Sequence, residues 1–214
     1  MKAVIFDMDG VIFDTERLWR DGFRVANEKF GITLGEDYRM SICGKTEPVI
    51  REELKKLFPN ADIDGYRDCN AEYVRLAAER GDFSVKSGFS HIVGVLKEKG
   101  YKTGLATSSK KSRAETLFSL KGMDIDKIFD AAVYGEDAGT RSKPDPYIFL
   151  LAAEKLGEKP SDCFVAEDSL NGIRAAVNGG FRAIMVKDLI PPDDFCKENC
   201  TAITSDLFGI EPLL

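Results

Sequence analysis

Histidine and cysteine are scarce in this chain, with one histidine and five cysteines among 214 residues. The cysteines are Cys43, Cys69, Cys163, Cys196 and Cys200. Their odd number and wide spacing argue against a disulfide scaffold. A zinc site at Cys196 and Cys200 would lack a nearby histidine, because His91 is distant in the sequence. We therefore expect a reducing compartment and a cytoplasmic protein.

Long hydrophobic runs and an excess of positive charge are also absent. The apolar segment Ala3–Phe6 is interrupted at once by Asp7 and Asp9, which excludes a signal peptide or membrane span there. The 36 acidic and 30 basic residues give a formal net charge of −6. A general basic surface for nucleic acid or anionic membranes is therefore missing, so we expect neither partner. We also expect a monomer. Neither GxxxxGK[ST] nor GxGxxG occurs, which argues against nucleotide hydrolysis through those motifs.

Short apolar runs alternate with amphipathic segments along most of the chain. The predicted strands are Ala3–Phe6, Lys102–Ala106, Ala131–Tyr134, Asp162–Ala166 and Arg182–Val186. Strands that alternate with helices predict an α/β fold, a Rossmann-like doubly wound parallel sheet. Ligands of such sheets bind beyond the carboxyl ends of the strands.

Residues 16 to 81 interrupt this alternation with three helical stripes of apolar residues. The stripes are Trp19, Phe23, Ala26 and Phe30; Ile50, Leu54, Leu57 and Phe58; and Tyr66, Cys69, Tyr73, Leu76 and Ala77. Most of these side chains are expected to form a core. The spacing predicts an all-helical domain inserted after the first strand.

Four groups of polar residues lie beside predicted strand ends or a helix start. Asp7 and Asp9 follow the first strand, and Thr107-Ser108-Ser109 follows the second. Lys143 precedes a predicted helix, and Glu167-Asp168 follows the fourth strand. Taken singly, each group is equally explained by helix capping or a solvated turn. Together they bring acids, hydroxyl groups and a lysine to one sheet edge, a set suited to a hard cation and a phosphate.

The segments that contain these groups show a family resemblance over essentially the whole chain. They are Phe6–Val11, Leu105–Ser109, Ser142–Pro146 and Ala166–Ser169. They resemble the motifs of the haloacid dehalogenase-like phosphatase superfamily, in the branch with a helical cap that includes β-phosphoglucomutase and sugar phosphatases. The resemblance implies a catalytic core formed by residues 1–15 and 82–214 and a helical cap formed by residues 16–81. It also implies a phosphoric monoester hydrolase acting on a small phosphorylated metabolite.

The resemblance further implies a covalent mechanism. Asp7 would attack phosphorus and form an aspartyl-phosphate. Asp9 would protonate the leaving alkoxide and then take a proton from the attacking water. Thr107, the Ser108 amide and Lys143 would bind the phosphoryl oxygens, and we count Thr107 and Lys143 with the catalytic residues.

A magnesium ion is implied by the same resemblance. Its ligands would be the Asp7 carboxylate, the Asp9 backbone carbonyl and Asp168, with Glu167 beside them. Mg²⁺ would let one anion approach another and would neutralise charge on the transferring phosphoryl group.

The cap residues leave the type of reaction open. Asp9 argues against a dehalogenase, because a halide leaves without a proton. Trp19 occupies the position where related mutases typically place a histidine, and its ring either contacts the substrate or packs within the cap. Lys45, in Gly44-Lys45-Thr46, either reaches the substrate or belongs to a solvated turn. We expect hydrolysis of a sugar phosphate; the alternative is a β-phosphoglucomutase-type phosphosugar mutase.

Two other classes of protein share parts of this pattern. A receiver-type signalling module also carries acids, Thr or Ser, and Lys on a parallel sheet, but it has no helical insertion after its first strand. A catalytically inactive metabolite-binding relative would often lack the nucleophile, the acid or a metal ligand, whereas all three are present here.

Overall fold

The chain divides into two compact units in a computed structural model that describes residues 2–42 and 47–214. The sheet unit comprises Met1–Asp14 and Ser84–Leu214, and the helical unit comprises Thr15–Phe83. Within the described residues, every helix is too short or too polar to cross a membrane. The assignment of the two predicted segments as catalytic core and cap remains a prediction.

Among the described residues, the helical unit contains four helices. They are α1 (Glu16–Phe30), α2 (Glu36–Ile42), α3 (Glu47–Leu57) and α4 (Ile63–Glu79). Their buried side chains form one core around Phe23, Leu54 and Tyr66. The expectation that Leu57 and Leu76 are buried is wrong, since they are 57% and 40% exposed. The buried residues of α4 include Tyr66 and Ala77 of the predicted stripe and also Val74 and Ala78.

The sheet unit is built on six parallel strands. They are β1 (Ala3–Phe6), β2 (Lys102–Ala106), β3 (Ala131–Val133), β4 (Cys163–Glu167), β5 (Arg182–Val186) and β6 (Ala202–Thr204). Their order across the sheet is β3-β2-β1-β4-β5-β6, and every pairing is parallel. The chain thus winds outward from β1 in both directions, which confirms the predicted doubly wound fold with an inserted helical domain.

Helices cover both faces of this sheet. They are α5 (Phe89–Glu98), α6 (Lys111–Leu120), α7 (Ile125–Ile128), α8 (Tyr147–Leu156), α9 (Leu170–Asn178) and α10 (Asp194–Asn199). Ile5 faces the core that includes Phe149 of α8. Phe6 points to the opposite face, where its ring centroid lies 5.8 Å from that of Phe89. Burial on both faces explains why β1 is a continuous apolar run rather than an alternating one.

Tyr66 gives a direct test of the helical unit's core. It is completely buried, and its hydroxyl donates a hydrogen bond of 2.8 Å to Asn27 Oδ1. Tyr66→Phe removes only this bond, so we expect a loss of about 1 kcal/mol in the free energy of unfolding. Tyr66→Ala also opens a cavity and should cost about 3–5 kcal/mol.

Urea unfolding followed by circular dichroism measures these changes. Leu57→Ala is the matched control, because it truncates a largely exposed side chain and should change the free energy by less than about 0.5 kcal/mol. Equal losses for Tyr66→Phe and Tyr66→Ala would contradict the packing described for Tyr66.

Candidate active site

The carboxyl ends of β1 and β4 meet at the point where the sheet changes its winding direction. Phe6 lies opposite Ala166, and the Asp7 amide donates a 3.0 Å hydrogen bond to the Ala166 carbonyl. Asp7 therefore leaves β1 beside Glu167, the last residue of β4. Such a switch point is where open α/β sheets form ligand-binding crevices.

Lys143 joins the ends of these two strands. Its Nζ lies 2.7 Å from Asp7 Oδ1 and 2.7 Å from Glu167 Oε1. The three side chains are buried, with exposed fractions of 10%, 8% and 2%. Two buried carboxylates would repel each other strongly, so the ammonium group between them is required for both to be charged.

Burial and charge shift the pKa values of this group in a consistent way. Burial raises the pKa of the Asp7 carboxyl to about 7; Lys143 opposes this shift, and the carboxylates of Glu167 and Asp9 add to it. Burial alone would lower the pKa of Lys143, but Asp7 and Glu167 raise it above its ordinary value. Lys143 is therefore cationic, and Asp7 needs further positive charge to be fully ionised near neutral pH.

Three acids at this edge have the composition of a cation site. One side-chain oxygen each from Asp7, Glu167 and Asp168 lies within 4.8 Å of the others, and all three residues are buried. Carboxylate oxygens are the ligands that Mg²⁺ prefers. The donor set therefore fits this ion.

Two glycines make room for the acids. A Cβ atom on Gly10 would lie 2.2 Å from Asp168 Oδ2, and the φ angle of Gly10 is +76°. A Cβ atom on Gly172, in the first turn of α9, would lie 2.0 Å from Glu167 Cδ. Both distances are far below van der Waals contact, so the close approach of the carboxylates requires glycine at these positions.

Asp9 is held by two residues that sequence reasoning did not assign. Arg113 donates two hydrogen bonds of 2.8 Å, one to each carboxylate oxygen of Asp9. The Ser109 hydroxyl donates to Asp9 Oδ2 at 2.9 Å, and Arg113 also contacts this hydroxyl at 2.7 Å. No local sequence pattern indicates this arrangement, because Ser109 precedes α6 and Arg113 is 104 residues from Asp9 in the chain.

The other predicted phosphate-binding residues lie at the end of β2. Thr107 is buried, and its hydroxyl accepts a hydrogen bond of 3.1 Å from the Ser109 amide. Ser108 is exposed beside this turn. The alternative that this segment caps α6 is not supported, because Lys110 is the N-cap residue and makes no side-chain cap bond.

Helix capping does apply at the end of β4. Ser169 is the N-cap residue of α9, and its side chain accepts a hydrogen bond from the Gly172 amide. The Glu167 carboxylate accepts one from the Ser169 amide and one from Lys143. Glu167 therefore supports the local turn and also belongs to the acidic group.

The two predicted substrate contacts outside the sheet unit stay predictions. Trp19 lies on α1 and is half-buried. Lys45 lies outside the described residues. The catalytic, phosphate-binding and metal-binding roles expected for the other residues are also predictions, although the geometry brings Asp7, Lys143, Glu167 and Asp168 together.

Comparisons with known proteins agree with this fold. Residues 1–180 match the haloacid dehalogenase-like hydrolase family. The chain is 34% identical over 190 residues to a phosphorylated carbohydrates phosphatase of Thermotoga maritima, covering 86% of this chain and 84% of that protein. It is 30% identical over 194 residues to protein CbbY of Cereibacter sphaeroides, covering 86% and 84%. A solved haloacid dehalogenase-like protein of Agrobacterium tumefaciens shares the fold, with a TM-score of 0.85, 21% identity and coverage of 100% and 97%.

The doubly wound sheet with buried acids and a lysine at its switch point is thus the catalytic fold of a known hydrolase class. The chain belongs to the haloacid dehalogenase-like hydrolase family. Within that family it is a phosphoric monoester hydrolase, as the sequence motifs predicted.

The space at Gly172 provides a test of the site's packing. Gly172→Ala should displace the Glu167 carboxylate from Lys143 and lower the free energy of unfolding by about 1–3 kcal/mol. Gly94→Ala is the matched control, because Gly94 is an exposed position on α5 where a Cβ atom meets nothing within 4 Å. That change should stabilise the protein by about 0.5–1 kcal/mol. Thermal and urea unfolding measure both, and a neutral Gly172→Ala would refute the tight packing around Glu167.

Proposed function

We propose that the protein is a Mg²⁺-dependent phosphatase that hydrolyses a small sugar phosphate through an aspartyl-phosphate on Asp7. One observation carries this proposal: Lys143 bridges Asp7 and Glu167 within a buried acidic group at the switch point. An acid held beside a fixed cation can approach a phosphate, whereas an isolated carboxylate would be repelled.

The substrate class rests on the chain's relatives. The Thermotoga maritima relative is named as a phosphatase of phosphorylated carbohydrates, and this chain covers most of its length. A phosphorylated carbohydrate carries an alkoxide leaving group, which needs a proton donor. The pairing of a nucleophilic acid with a second acid two residues later suits that requirement.

Asp7 and Lys143 perform the first half of the reaction. An Asp7 carboxylate oxygen forms a bond to phosphorus while the bond from phosphorus to the sugar oxygen breaks. Lys143 neutralises negative charge on the oxygens of the phosphoryl group while that group is transferred to Asp7. The Thr107 hydroxyl and the Ser108 amide add hydrogen bonds to those oxygens.

Asp9 transfers a proton in each half of the reaction. It donates a proton to the leaving sugar oxygen, and it then accepts one from the water that attacks the phosphoenzyme and releases inorganic phosphate. Arg113 and Ser109 hold its carboxylate in a defined place. For proton transfer to occur, the Asp9 carboxylate must break at least one of its two hydrogen bonds to Arg113.

The metal would bind at the group of acids formed by Asp7, Glu167 and Asp168. Asp7, Asp168 and the Asp9 carbonyl would hold Mg²⁺, with Glu167 beside them. When bound, Mg²⁺ supplies positive charge that favours the ionised form of Asp7 and the approach of a phosphate dianion. The local charges agree with this need, because Lys143 is shared between Asp7 and Glu167 and the pKa of Asp7 remains raised to about 7.

Substitution of the two acids tests the mechanism. Asp7→Asn should abolish phosphate release, because an amide is a poor nucleophile. Asp9→Asn should slow turnover by roughly 10²- to 10⁴-fold, the usual contribution of a general acid and base. Asp194→Asn is the control, since Asp194 is 90% exposed and should leave turnover unchanged. Release of inorganic phosphate from glucose 6-phosphate measures all three, and near-normal turnover in Asp7→Asn would exclude the covalent mechanism.

Metal binding can be measured without turnover. Because Mg²⁺ would bind only the folded site, a concentration of 100 times Kd should stabilise the protein by about 2.7 kcal/mol. Asp168→Asn should need a much higher Mg²⁺ concentration for the same rise in melting temperature. Ca²⁺ should inhibit turnover, since it prefers a larger and looser set of ligands. Full activity in excess chelator would contradict this metal site.

A further inference from the structure

A cavity lies beside the candidate active site, within the sheet unit. Its volume is about 340 Å³, and its lining includes Ser108, Lys110, Thr140, Arg141, Ser142 and Lys143. Two of these residues, Ser108 and Lys143, also belong to the predicted phosphate-binding set. A molecule whose phosphate sits at Asp7 therefore has this cavity as its neighbour.

The cavity is rich in positive charge. Lys110 and Arg141 contribute two cations in addition to Lys143, whose charge is shared by Asp7 and Glu167, while Glu136 contributes one carboxylate. The Glu136 carboxylate already accepts hydrogen bonds of 3.1 and 3.2 Å from the backbone amide of Lys111. Across residues 2–42 and 47–214, neither Lys110 nor Arg141 has an ion-pair partner. Their charges are therefore available to a ligand.

Arg141 is held in an orientation suited to anion recognition. Its guanidinium carbon lies 3.0 Å from the centroid of the Tyr147 ring, at the start of α8. Stacking on an aromatic ring restricts the planar group while leaving its N–H edges for hydrogen bonds. Those N–H groups match the two oxygens of a carboxylate or phosphate. Thr140 and Ser142, which flank Arg141, add hydroxyl donors to the same lining.

We propose that this cavity binds a second anionic group on the leaving alcohol of the substrate, and that Arg141 recognises it. The second group is a carboxylate or a phosphate, since both present paired anionic oxygens to a guanidinium. This inference rests on the proposed function, and it narrows the substrate class to phosphomonoesters that carry another acid. Arg141 acts on affinity for the substrate and does not take part in bond breaking.

Binding to the full-length Asp7→Asn variant in Mg²⁺ tests the proposal without turnover. Calorimetry would give the Kd of three compounds: glucose 6-phosphate, which has no second acid; 6-phosphogluconate, whose second acid is a carboxylate; and glucose 1,6-bisphosphate, whose second acid is a phosphate. We expect a Kd about 10- to 100-fold lower for at least one of the doubly acidic compounds, the range of charged hydrogen bonds. Which of the two binds more tightly distinguishes carboxylate from phosphate.

Arg141→Met in the Asp7→Asn variant should bring the ratio of Kd values between glucose 6-phosphate and the doubly acidic compound close to one. Arg141→Lys should retain part of the preference. Arg182→Met is the matched control, because it removes one exposed positive charge from β5, away from the cavity lining, and should leave the preference intact. Equal Kd values for all three compounds, or a preference that survives Arg141→Met, would overturn the proposal.

Turnover of the wild-type protein separates the two claims. Phosphate release without any Kd preference would leave the phosphatase proposal standing and remove the second-anion site. A Kd preference that depends on Arg141, without phosphate release from any of the compounds, would support the anion site and contradict the proposed hydrolysis of sugar phosphates.

Discussion

The contact of Lys143 with Asp7 and Glu167 is the interaction on which the site depends. It places one positive charge between two carboxylates that parallel pairing of β1 and β4 forces together. Such a buried arrangement is stable only while all partners are present, since removal of one charge leaves the others unpaired. Gly172 leaves the space that the Glu167 carboxylate needs to reach Lys143, and all three side chains are buried at this contact.

The same interaction gives the site its unsatisfied charge. Lys143 serves two acids at once, and the pKa of Asp7 is still raised to about 7, so Asp7 needs further positive charge to be fully ionised near neutral pH. A divalent cation would meet that demand in the proposed mechanism, and a phosphate would then bind beside Lys143. Arg141 and Lys110 extend the positive field along the neighbouring cavity, where a second acid on the substrate would be accommodated.

Much of the fold was predictable because local patterns specified it. The run Ala3–Phe6 lacks alternation, which indicates a strand buried on both faces, and the polar residues after it were correctly placed at the sheet edge. Strand β6 and helix α2 were not predicted. Strand β6 has three half-buried residues and helix α2 has seven residues, which are too few to show a repeating pattern of apolar residues. The pairing of Arg113 with Asp9 spans 104 residues, so it depends on the packing of α6 rather than on any local pattern.

Detection of phosphate on Asp7 itself is the most direct test of the proposed mechanism. Wild-type protein mixed with a sugar phosphate and Mg²⁺, quenched in acid within the first turnover, would be digested and analysed by mass spectrometry. We expect one phosphoryl group on the peptide that contains Asp7, and we expect hydroxylamine to remove it as an acyl-phosphate. Hydrolysis that proceeds at full rate with no phosphate on that peptide would contradict the mechanism.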